Sequence, residues 1–421
     1  MTQETDRPLD EIFDKFISEK NKIFLNRDVL RHTYVPDLLP HREEQSKMIA
    51  QILGPALRSE TPSNIFCYGK TGTGKTIVVK YVLNYLKEKC QKMNIKIPIS
   101  TIVNCRIIDT NYRVLAQLCK AVGVDVPFTG LPTDEVYARY KAKLDEKEQI
   151  MIIVLDEVDE LVKKKDFNKV NDILYDLTRM NTDLENARVS IIGISNDLTF
   201  KEYLEPRVVS GLSQEECLFE SYSAGQLQDI LKQRAEIGYH PGILETGVIP
   251  RVAALAAREH GDARRALDLL LKSGEIAERT GAKMIEEKHV DQAQFAIESS
   301  LIKGAIQKLP LQSKIILYSI YKIEKLKIKM EINTGEVYDV YQQFCSYIKL
   351  EALSQRRVSD LITDLDMQGL INASIINRGR YGRTKKIKLN IKKSLIVEII
   401  GNDERFSQLK DIEVTSEKIK K

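Results

Sequence analysis

The chain has 421 residues, of which 43% are hydrophobic, and this length exceeds what one hydrophobic core usually supports, so we expect two or three domains. The six cysteines form no CxxC pair and do not cluster with the five histidines, so the sequence argues against a disulfide framework and a zinc site. No apolar run approaches the length of a membrane span, which argues against a membrane partner. We therefore expect a soluble cytoplasmic protein. The net charge of +4 is uneven, because residues 301–400 carry a local +9 while residues 1–300 carry −5.

Residues 1–222 alternate short apolar runs with helical stretches. This order predicts an α/β domain built on a parallel sheet. Four runs are typical of buried strands, namely Asn64–Tyr68, Ile99–Asn104, Ile150–Leu155 and Val189–Ser195.

A phosphate loop follows the first of these strands. The segment GKTGTGKT matches GxxxxGK[ST] and precedes a helix predicted over Ile77–Lys87. Its glycines let successive backbone N–H groups point at phosphate oxygens, Lys75 would reach the β- and γ-phosphates, and Thr76 would ligate Mg²⁺. A plain glycine-rich turn does not explain the Lys-Thr pair. The predicted nucleotide-binding residues are Gly69, Lys70, Thr71, Gly72, Thr73, Gly74, Lys75 and Thr76.

The third predicted strand ends in two carboxylates. Asp156 would hold Mg²⁺ through water, and Glu157 would polarise the attacking water. The alternative, in which two acidic residues merely solvate the end of a strand, loses weight beside the phosphate loop.

Three further residues are candidates for sensing or neutralising the γ-phosphate. Asn196 follows the fourth strand and could orient the hydrolytic water, although an Asx turn is the alternative. Arg207 lies at an exposed turn and is either an arginine finger for a neighbouring subunit or a surface arginine. Arg264 begins a helix and either folds over the nucleotide or belongs to an ordinary helix start capped by Asp262.

Strand patterns disappear after residue 222, and periodic apolar positions predict an all-helical lid over residues 223–300. Residues 301–410 read as two amphipathic helices followed by a two-stranded hairpin, which is the order of a winged helix, and residues 411–421 form a C-terminal tail.

The second of these amphipathic helices has the pattern of a DNA-recognition helix. Ser354 is its expected N-cap, and the helical period places Arg356 opposite the apolar stripe with Arg357 and Ser359 beside it. Asp360 shares this face, so an Arg356–Asp360 ion pair is an alternative. The hairpin adds four basic residues and a tyrosine that would contact phosphates or a minor groove, or would only solubilise the chain: Arg378, Arg380, Arg383 and Lys385, with Tyr381.

The chain resembles the archaeal origin-recognition and cell-division-control (Orc/Cdc) AAA+ replication initiators. The motifs that carry the resemblance are the phosphate loop, Asp156-Glu157, Asn196, Pro206-Arg207 and the GDARRAL segment, followed by a helical lid and a basic winged helix. The resemblance covers roughly residues 15 to 400. It implies a P-loop AAA+ core, an all-α lid and a C-terminal winged helix.

The resemblance also assigns residue roles. It implies that Asn196 is sensor one, Arg264 is sensor two and Arg207 is the finger. The segment YVPDLLPHREE would border the base through Pro40, His41 and Arg42. An insertion before the third strand would touch DNA near Phe128, Thr129 and Gly130, although this stretch has few basic residues. Val209 departs from the family, because a basic residue is expected after the finger.

The implied function is ATP-dependent initiation of replication. ATP-bound protein, with Mg²⁺, would bind double-stranded origin DNA on the nucleoid, act with other copies or paralogues of itself, and help recruit or load the MCM helicase. Hydrolysis to ADP would be a slow switch. The alternatives are an NTPase-switched transcription regulator, which would bind many promoters, and a clamp-loader-like ATPase, against which the basic winged helix argues.

Overall fold

A computed structural model describes residues 22–108, 110–127, 129–163, 167–326, 332–377, 383–401, 403–409 and 412. The chain divides into two compact units, Met1–Gln292 and Ala293–Lys421, which are described separately below.

The first unit is built on a five-stranded parallel sheet in the order β2-β3-β4-β1-β5. The predicted parallel α/β sheet is therefore confirmed, with strand ends that differ from the predicted ones by at most one residue and with one additional edge strand, β5. The strands are β1 (Ile65–Gly69), β2 (Ile99–Asn104), β3 (Ile150–Asp156), β4 (Arg188–Ser195) and β5 (Glu215–Phe219).

Helices cover both faces of this sheet. Because successive side chains of a strand point to opposite faces, β3 supplies Met151, Ile153 and Leu155 to one hydrophobic cluster and Ile152 and Val154 to the other. The helices of this part are α1 (Glu43–Leu53), α2 (Lys75–Met93), α3 (Asn111–Val122), α4 (Thr133–Glu146), α5 (Asp159–Lys163), α6 (Phe167–Arg179) and α7 (Pro206–Leu212).

Four helices follow the sheet, and the first of them begins where the sequence predicts the lid. Ser223 caps that helix with a capping box, in which its side chain accepts from the N–H of Gln226 and the Gln226 side chain returns the bond. These helices are α8 (Ala224–Gly238), α9 (Val248–Arg258), α10 (Ala263–Arg279) and α11 (Glu287–Lys308). The division between the two units falls within α11.

The second unit packs four helices against a small antiparallel sheet of order β6-β8-β7. The predicted hairpin is confirmed. The predicted apolar stripes are buried at Val337, Val340 and Phe344 and at Val358 and Ile362. The elements are α12 (Leu311–Lys325), β6 (Ile332–Asn333), α13 (Thr334–Tyr347), α14 (Gln355–Met367), β7 (Ile371–Asn377), β8 (Arg383–Leu389) and α15 (Lys393–Ile400).

Within the part of the chain that the structure describes, no helix combines the length and the apolar character needed to cross a bilayer.

Candidate functional site

A cavity of about 290 Å³ opens at the carboxyl edge of the parallel sheet, where the phosphate loop, the end of β3, the segment before α1 and the helices α8 and α10 meet. Parallel sheets of this kind bind their ligands at this edge. The cavity is lined by His32, Thr33, Val35, Pro36, Leu39, Pro40, Gly72, Gly74, Thr76, Ile77, Lys80, Asn104, Asp156, Glu157, Tyr222, Ile230, Gln233, Arg234, Ala263, Arg264 and Leu267.

The phosphate loop is tightly folded around Lys75, the first residue of α2. Its ammonium group donates to the carbonyl oxygens of Gly69 and Lys70, both at 2.8 Å, and the side chain is buried. Burial, followed by the positive charge of Arg264, lowers the pKa of Lys75 to about 8. The loop thus holds a cation that is poorly solvated and gains from an anionic ligand.

Two glycines of the loop are required by their surroundings. Gly72 and Gly74 have φ angles of +76° and +93°, in the left-handed region that favours glycine. A Cβ at Gly72 would overlap the Asp262 carboxylate, and a Cβ at Gly74 would lie 2.8 Å from the Tyr222 hydroxyl oxygen. The loop is therefore packed directly against residues that follow β5 and precede α10.

Thr76 and Asp156 are brought together as the sequence predicts for a magnesium site. The Thr76 hydroxyl donates to both carboxylate oxygens of Asp156, at 3.1 Å each. Burial raises the pKa of Asp156, while the Thr76 hydrogen bond and the charge of Arg264 oppose that shift. Two hard oxygen ligands at the base of a phosphate loop fit Mg²⁺, which takes its remaining ligands from phosphate and water.

Glu157 lies at the cavity wall in an unusual backbone conformation. Its φ angle is +55°, and a non-glycine residue in this region costs about 1–3 kcal/mol. The guanidinium Nη1 of Arg106 lies 3.8 Å from Glu157 Oε2. The Glu157 carboxylate is thus held beside Asp156 at the end of β3 and lies near the Arg106 guanidinium, which follows β2.

The helix that carries Arg264 is fixed to the phosphate loop by its first residues. Asp262 caps α10 by accepting from the N–H groups of Arg264 and Arg265, at 2.8 and 3.2 Å. The Ala263 N–H donates to the Gly72 carbonyl at 3.1 Å. The cap that the sequence offered as the alternative is present, and Arg264 also lines the cavity, so the two interpretations are compatible.

Pro40, His41 and Arg42, which were expected to border the nucleotide base, occupy three different positions. Pro40 lines the cavity. The His41 ring contacts Asp229 of α8 at 3.0 Å, and His41 is not among the cavity-lining residues. The buried Arg42 guanidinium donates to the carbonyl oxygens of Thr73, at 2.9 Å, and of Glu220, at 2.6 Å.

Arg42 also stacks on Tyr222, with its guanidinium carbon 3.9 Å from the ring centre. It therefore connects the phosphate loop to the segment that joins β5 to α8. The residues before α1 that line the cavity lie between His32 and Pro40, and His41 and Arg42 are not among them.

Asn196 follows β4 and is positioned by a residue that sequence reasoning missed. The buried Asp159 carboxylate accepts from the Asn196 N–H at 3.2 Å and from the Ser195 hydroxyl at 3.0 Å. Asn196 itself is not among the cavity-lining residues. An acidic residue at the second position after the Asp156-Glu157 pair was the available sequence signal.

Arg207, the predicted finger, lies in the first turn of α7 and is about half exposed. Its Nε donates to Glu205 Oε2 at 2.5 Å, and its guanidinium carbon lies 4.6 Å from the ring centre of Tyr175. Arg179 stacks on the same ring at 5.3 Å. The finger candidate is thus held away from the cavity of its own chain.

The second unit has a separate cavity, of about 440 Å³, between α14, the start of α13 and the hairpin. Arg356 and Ser359 line it, as do Gln355 and the exposed Ile375, which the sequence did not single out. Arg357 is exposed and does not line it.

The predicted N-cap of α14 is confirmed, because the Ser354 hydroxyl accepts from the Arg357 N–H at 3.5 Å. Lys385 of β8 points its ammonium group at α14, where it donates to the Ser359 carbonyl at 2.8 Å and to the Thr363 hydroxyl at 2.6 Å.

Several expected DNA contacts lie outside the described residues, namely Phe128, Arg378, Arg380 and Tyr381, and so does the side chain of Arg383. Thr129 and Gly130 are described and exposed. In addition to Asp159 and Gln355, sequence reasoning missed Asn104 and Tyr222 at the nucleotide cavity. Asn104 ends β2, so its position at the carboxyl edge of the sheet was the signal that could have found it.

Three family models match the chain: "AAA domain" over residues 58–198, "Cdc6 AAA+ ATPase-type lid domain" over 228–295 and "CDC6, C terminal winged helix domain" over 304–399. The chain is 55% identical over 414 residues to an ORC1-type DNA replication protein of Pyrococcus furiosus, covering 97% of each chain. The chain belongs to the ORC1/Cdc6 family of DNA replication proteins. The resemblance inferred from its motifs is confirmed.

Other members of this family agree. The ORC1-type DNA replication protein 1 of Archaeoglobus fulgidus is 48% identical over 402 residues, covering 96% of each chain. The structure of the Aeropyrum pernix ORC1 protein in complex with DNA is similar with a TM-score of 0.79 at 43% identity, covering 93% of this chain and 100% of that one. The predicted order of AAA+ core, helical lid and winged helix is thus confirmed.

Proposed function

We propose that this chain is an ATP-dependent initiator of DNA replication that binds origin DNA and helps to recruit or load the MCM helicase. The observation that carries the proposal is the contact between the phosphate loop and α10. Because of this contact, a movement of the phosphate loop is transmitted to the lid. The solved relative of Aeropyrum pernix is bound to DNA, which supports DNA as the partner of the winged helix.

The phosphate loop supplies the cation and the N–H groups for the phosphates. Lys75 exchanges its bonds to the Gly69 and Lys70 carbonyls for phosphate oxygens, and the N-terminus of α2 adds positive potential. Thr76 and Asp156 would hold Mg²⁺, which when bound neutralises phosphate charge. Arg264 contributes a second positive charge from the lid.

Hydrolysis would be slow and would act as a switch. Glu157 polarises the attacking water, and Asn196, whose backbone is held by Asp159, orients it. Rearrangement of Gly72 when the phosphates bind or leave moves Asp262 and Ala263 with it, so the nucleotide state biases the position of the lid.

Other copies or paralogues of the chain would complete the site. Arg207 is held by Glu205 and Tyr175 on a surface outside its own cavity, as a finger for a neighbouring subunit requires. The neighbour's γ-phosphate would draw it from the Glu205 carboxylate. Tyr175 would keep the guanidinium in place while it changes partner.

The DNA-binding part of the proposal is tested by Arg356→Ala in the full-length protein, with Lys308→Ala as the control for loss of one exposed charge from the same unit. Each good contact of an arginine with a base contributes about 1–3 kcal/mol of discrimination. Arg356→Ala should therefore reduce the preference for an origin fragment over shuffled DNA by about tenfold, measured by fluorescence anisotropy. Lys308→Ala should keep the preference. Equal preferences for both variants and the wild type would contradict the assignment of α14 as the recognition helix.

A further inference from the structure

The apolar stripe on one face of β7 continues beyond the hydrophobic core of the second unit. Successive residues of a strand point to opposite faces, so Ile371, Ala373 and Ile375 share one face of the hairpin. Ile371 is buried and Ala373 packs against the same core, whereas 69% of Ile375 is exposed. One exposed isoleucine is ordinary by itself, so its surroundings decide what it can contact.

Ile375 lies beside the first turn of α14. Its Cα partner on β8 is Lys385, and directly paired residues of an antiparallel ladder project to the same face of the sheet. The Lys385 ammonium group donates to the Ser359 carbonyl of α14 at 2.8 Å. The face that carries Ile375 is therefore the face turned toward α14, and Ile375 lines the cavity of about 440 Å³ together with Gln355 and Arg356.

The polar neighbours of Ile375 in this cavity are side chains of the kinds that read bases. Gln355 and Arg356 belong to the first turn of α14, and both are exposed. In a major groove an amide side chain matches the edge of adenine, and a guanidinium matches the edge of guanine. A further direct contact in the same groove joins an apolar side chain to the C5-methyl group of thymine. Ile375 supplies the apolar group for that contact.

The charge around the cavity favours a nucleic acid as its partner. Among the described residues that line it, Arg356 and Lys385 are basic and none is acidic. Arg357, which is exposed in the same turn of α14, and Lys386, the next residue of β8, add positive charge. Duplex DNA complements such a surface, whereas an apolar protein segment would cover these charges at a cost in solvation.

We propose that Ile375 contacts the C5-methyl group of one thymine in the bound DNA and makes the protein prefer thymine at that position. The inference rests on the proposed binding of DNA by the winged helix, and it places a specificity-determining residue on β7 rather than on the recognition helix. The contact gains affinity by removing a methyl group from water and needs no hydrogen bond. It therefore distinguishes thymine even from uracil, which has the same pairing edge.

The test uses the full-length protein and a duplex that the wild type selects from random-sequence DNA. Each thymine of this duplex is replaced in turn by deoxyuridine, which still pairs with adenine and lacks only the C5-methyl group. Affinity is measured by fluorescence anisotropy. Wild-type affinity should fall about fivefold at one position, as expected for the loss of one buried methyl group, and should stay within about twofold at the others.

Ile375→Ala should bind the thymine duplex and the deoxyuridine duplex for that position with equal affinity, because the apolar partner of the methyl group is gone. Ile376→Ala is the matched control, since it is the same change at the next residue of β7, on the opposite face and outside the cavity lining. It should keep the difference of about fivefold. Ile375 is largely exposed, so its replacement should leave the unit folded.

Wild-type protein that is indifferent to every replacement would overturn the contact, and this result needs no variant. A thymine dependence that persists in Ile375→Ala, or that disappears equally in Ile376→Ala, would also overturn it. Wild-type protein that selects no sequence from the random DNA would instead contradict the sequence-specific DNA binding of the proposed function and, with it, this inference.

Discussion

Lys75 is a buried cation whose ordinary partners in the chain are two carbonyl oxygens. Burial and the charge of Arg264 lower its pKa to about 8, so its charged form is retained at neutral pH with little margin. The sequence predicted that Lys75 contacts phosphate, since the motif alone defines that role. The shifted pKa was beyond prediction, because it depends on Arg264, which is distant in sequence and comes close only when the lid folds over the loop.

This pKa gives ATP binding a pH dependence of defined sign. Phosphate binding needs the ammonium form, so affinity should be constant below about pH 7 and should fall up to tenfold per pH unit above about pH 8. Arg264→Gln removes a like charge, which raises the pKa of Lys75 and moves the decline to higher pH. The measurement is titration with a fluorescent ATP analogue at a series of pH values.

Arg258→Gln is the control for this experiment, because it removes an arginine of the same lid that does not line the cavity. It should leave the onset of the decline unchanged. The same onset in Arg264→Gln and wild type would show that Arg264 does not act on Lys75.

Among the helices and strands, the sequence predicted the features that are encoded by residues close to one another in the chain. The cap at Ser354, the stripe of α14 and the antiparallel pairing of β7 with β8 follow from neighbouring residues, and all are present. Strand β5 was not predicted, because most of its residues are exposed and it lacks the apolar run of a buried strand. It forms through parallel pairing with β1. The two-residue β6 likewise depends on its pairing with β8.

Lys385 shows the same limit in the DNA-binding unit. Its place in a basic run predicts a phosphate contact, and that contact stays a prediction. The sequence did not predict that its ammonium group joins β8 to α14 through Ser359 and Thr363. Such hydrogen bonds between elements have no signature in the sequence.

Lys385→Met should therefore act through the position of α14. Loss of two hydrogen bonds from a charged donor should lower the free energy of unfolding of the second unit by about 1–2 kcal/mol, because the side chain is partly exposed. DNA affinity should fall while the slope of log affinity against log salt stays the same. Thermal unfolding and anisotropy over a range of salt concentrations measure the two effects.

Lys388→Met, at an exposed position of the same strand, is the matched charge control and should leave stability within about 0.5 kcal/mol of the wild type. A salt slope reduced by about one in Lys385→Met would instead indicate that Lys385 contacts a phosphate directly.

In the whole molecule, residues 1–300 carry a net negative charge and contain the nucleotide site, and residues 301–400 are basic and contain the DNA-binding winged helix. The sequence predicted this order of AAA+ core, lid and winged helix, because each has its own composition and period. It did not predict that core and lid would form one compact unit through Gly72, Asp262, Arg42 and Tyr222, since those contacts join residues far apart in the chain.

The proposed function requires that this nucleotide-switched protein acts at origins of replication. The most direct test maps the chromosomal sites bound by the protein in its own cells, beside the positions where replication starts. We predict one or a few strongly bound regions that coincide with those starts and that lose occupancy in Lys75→Ala cells. Binding spread over many promoters, away from replication starts, would contradict the claim and indicate a transcription regulator.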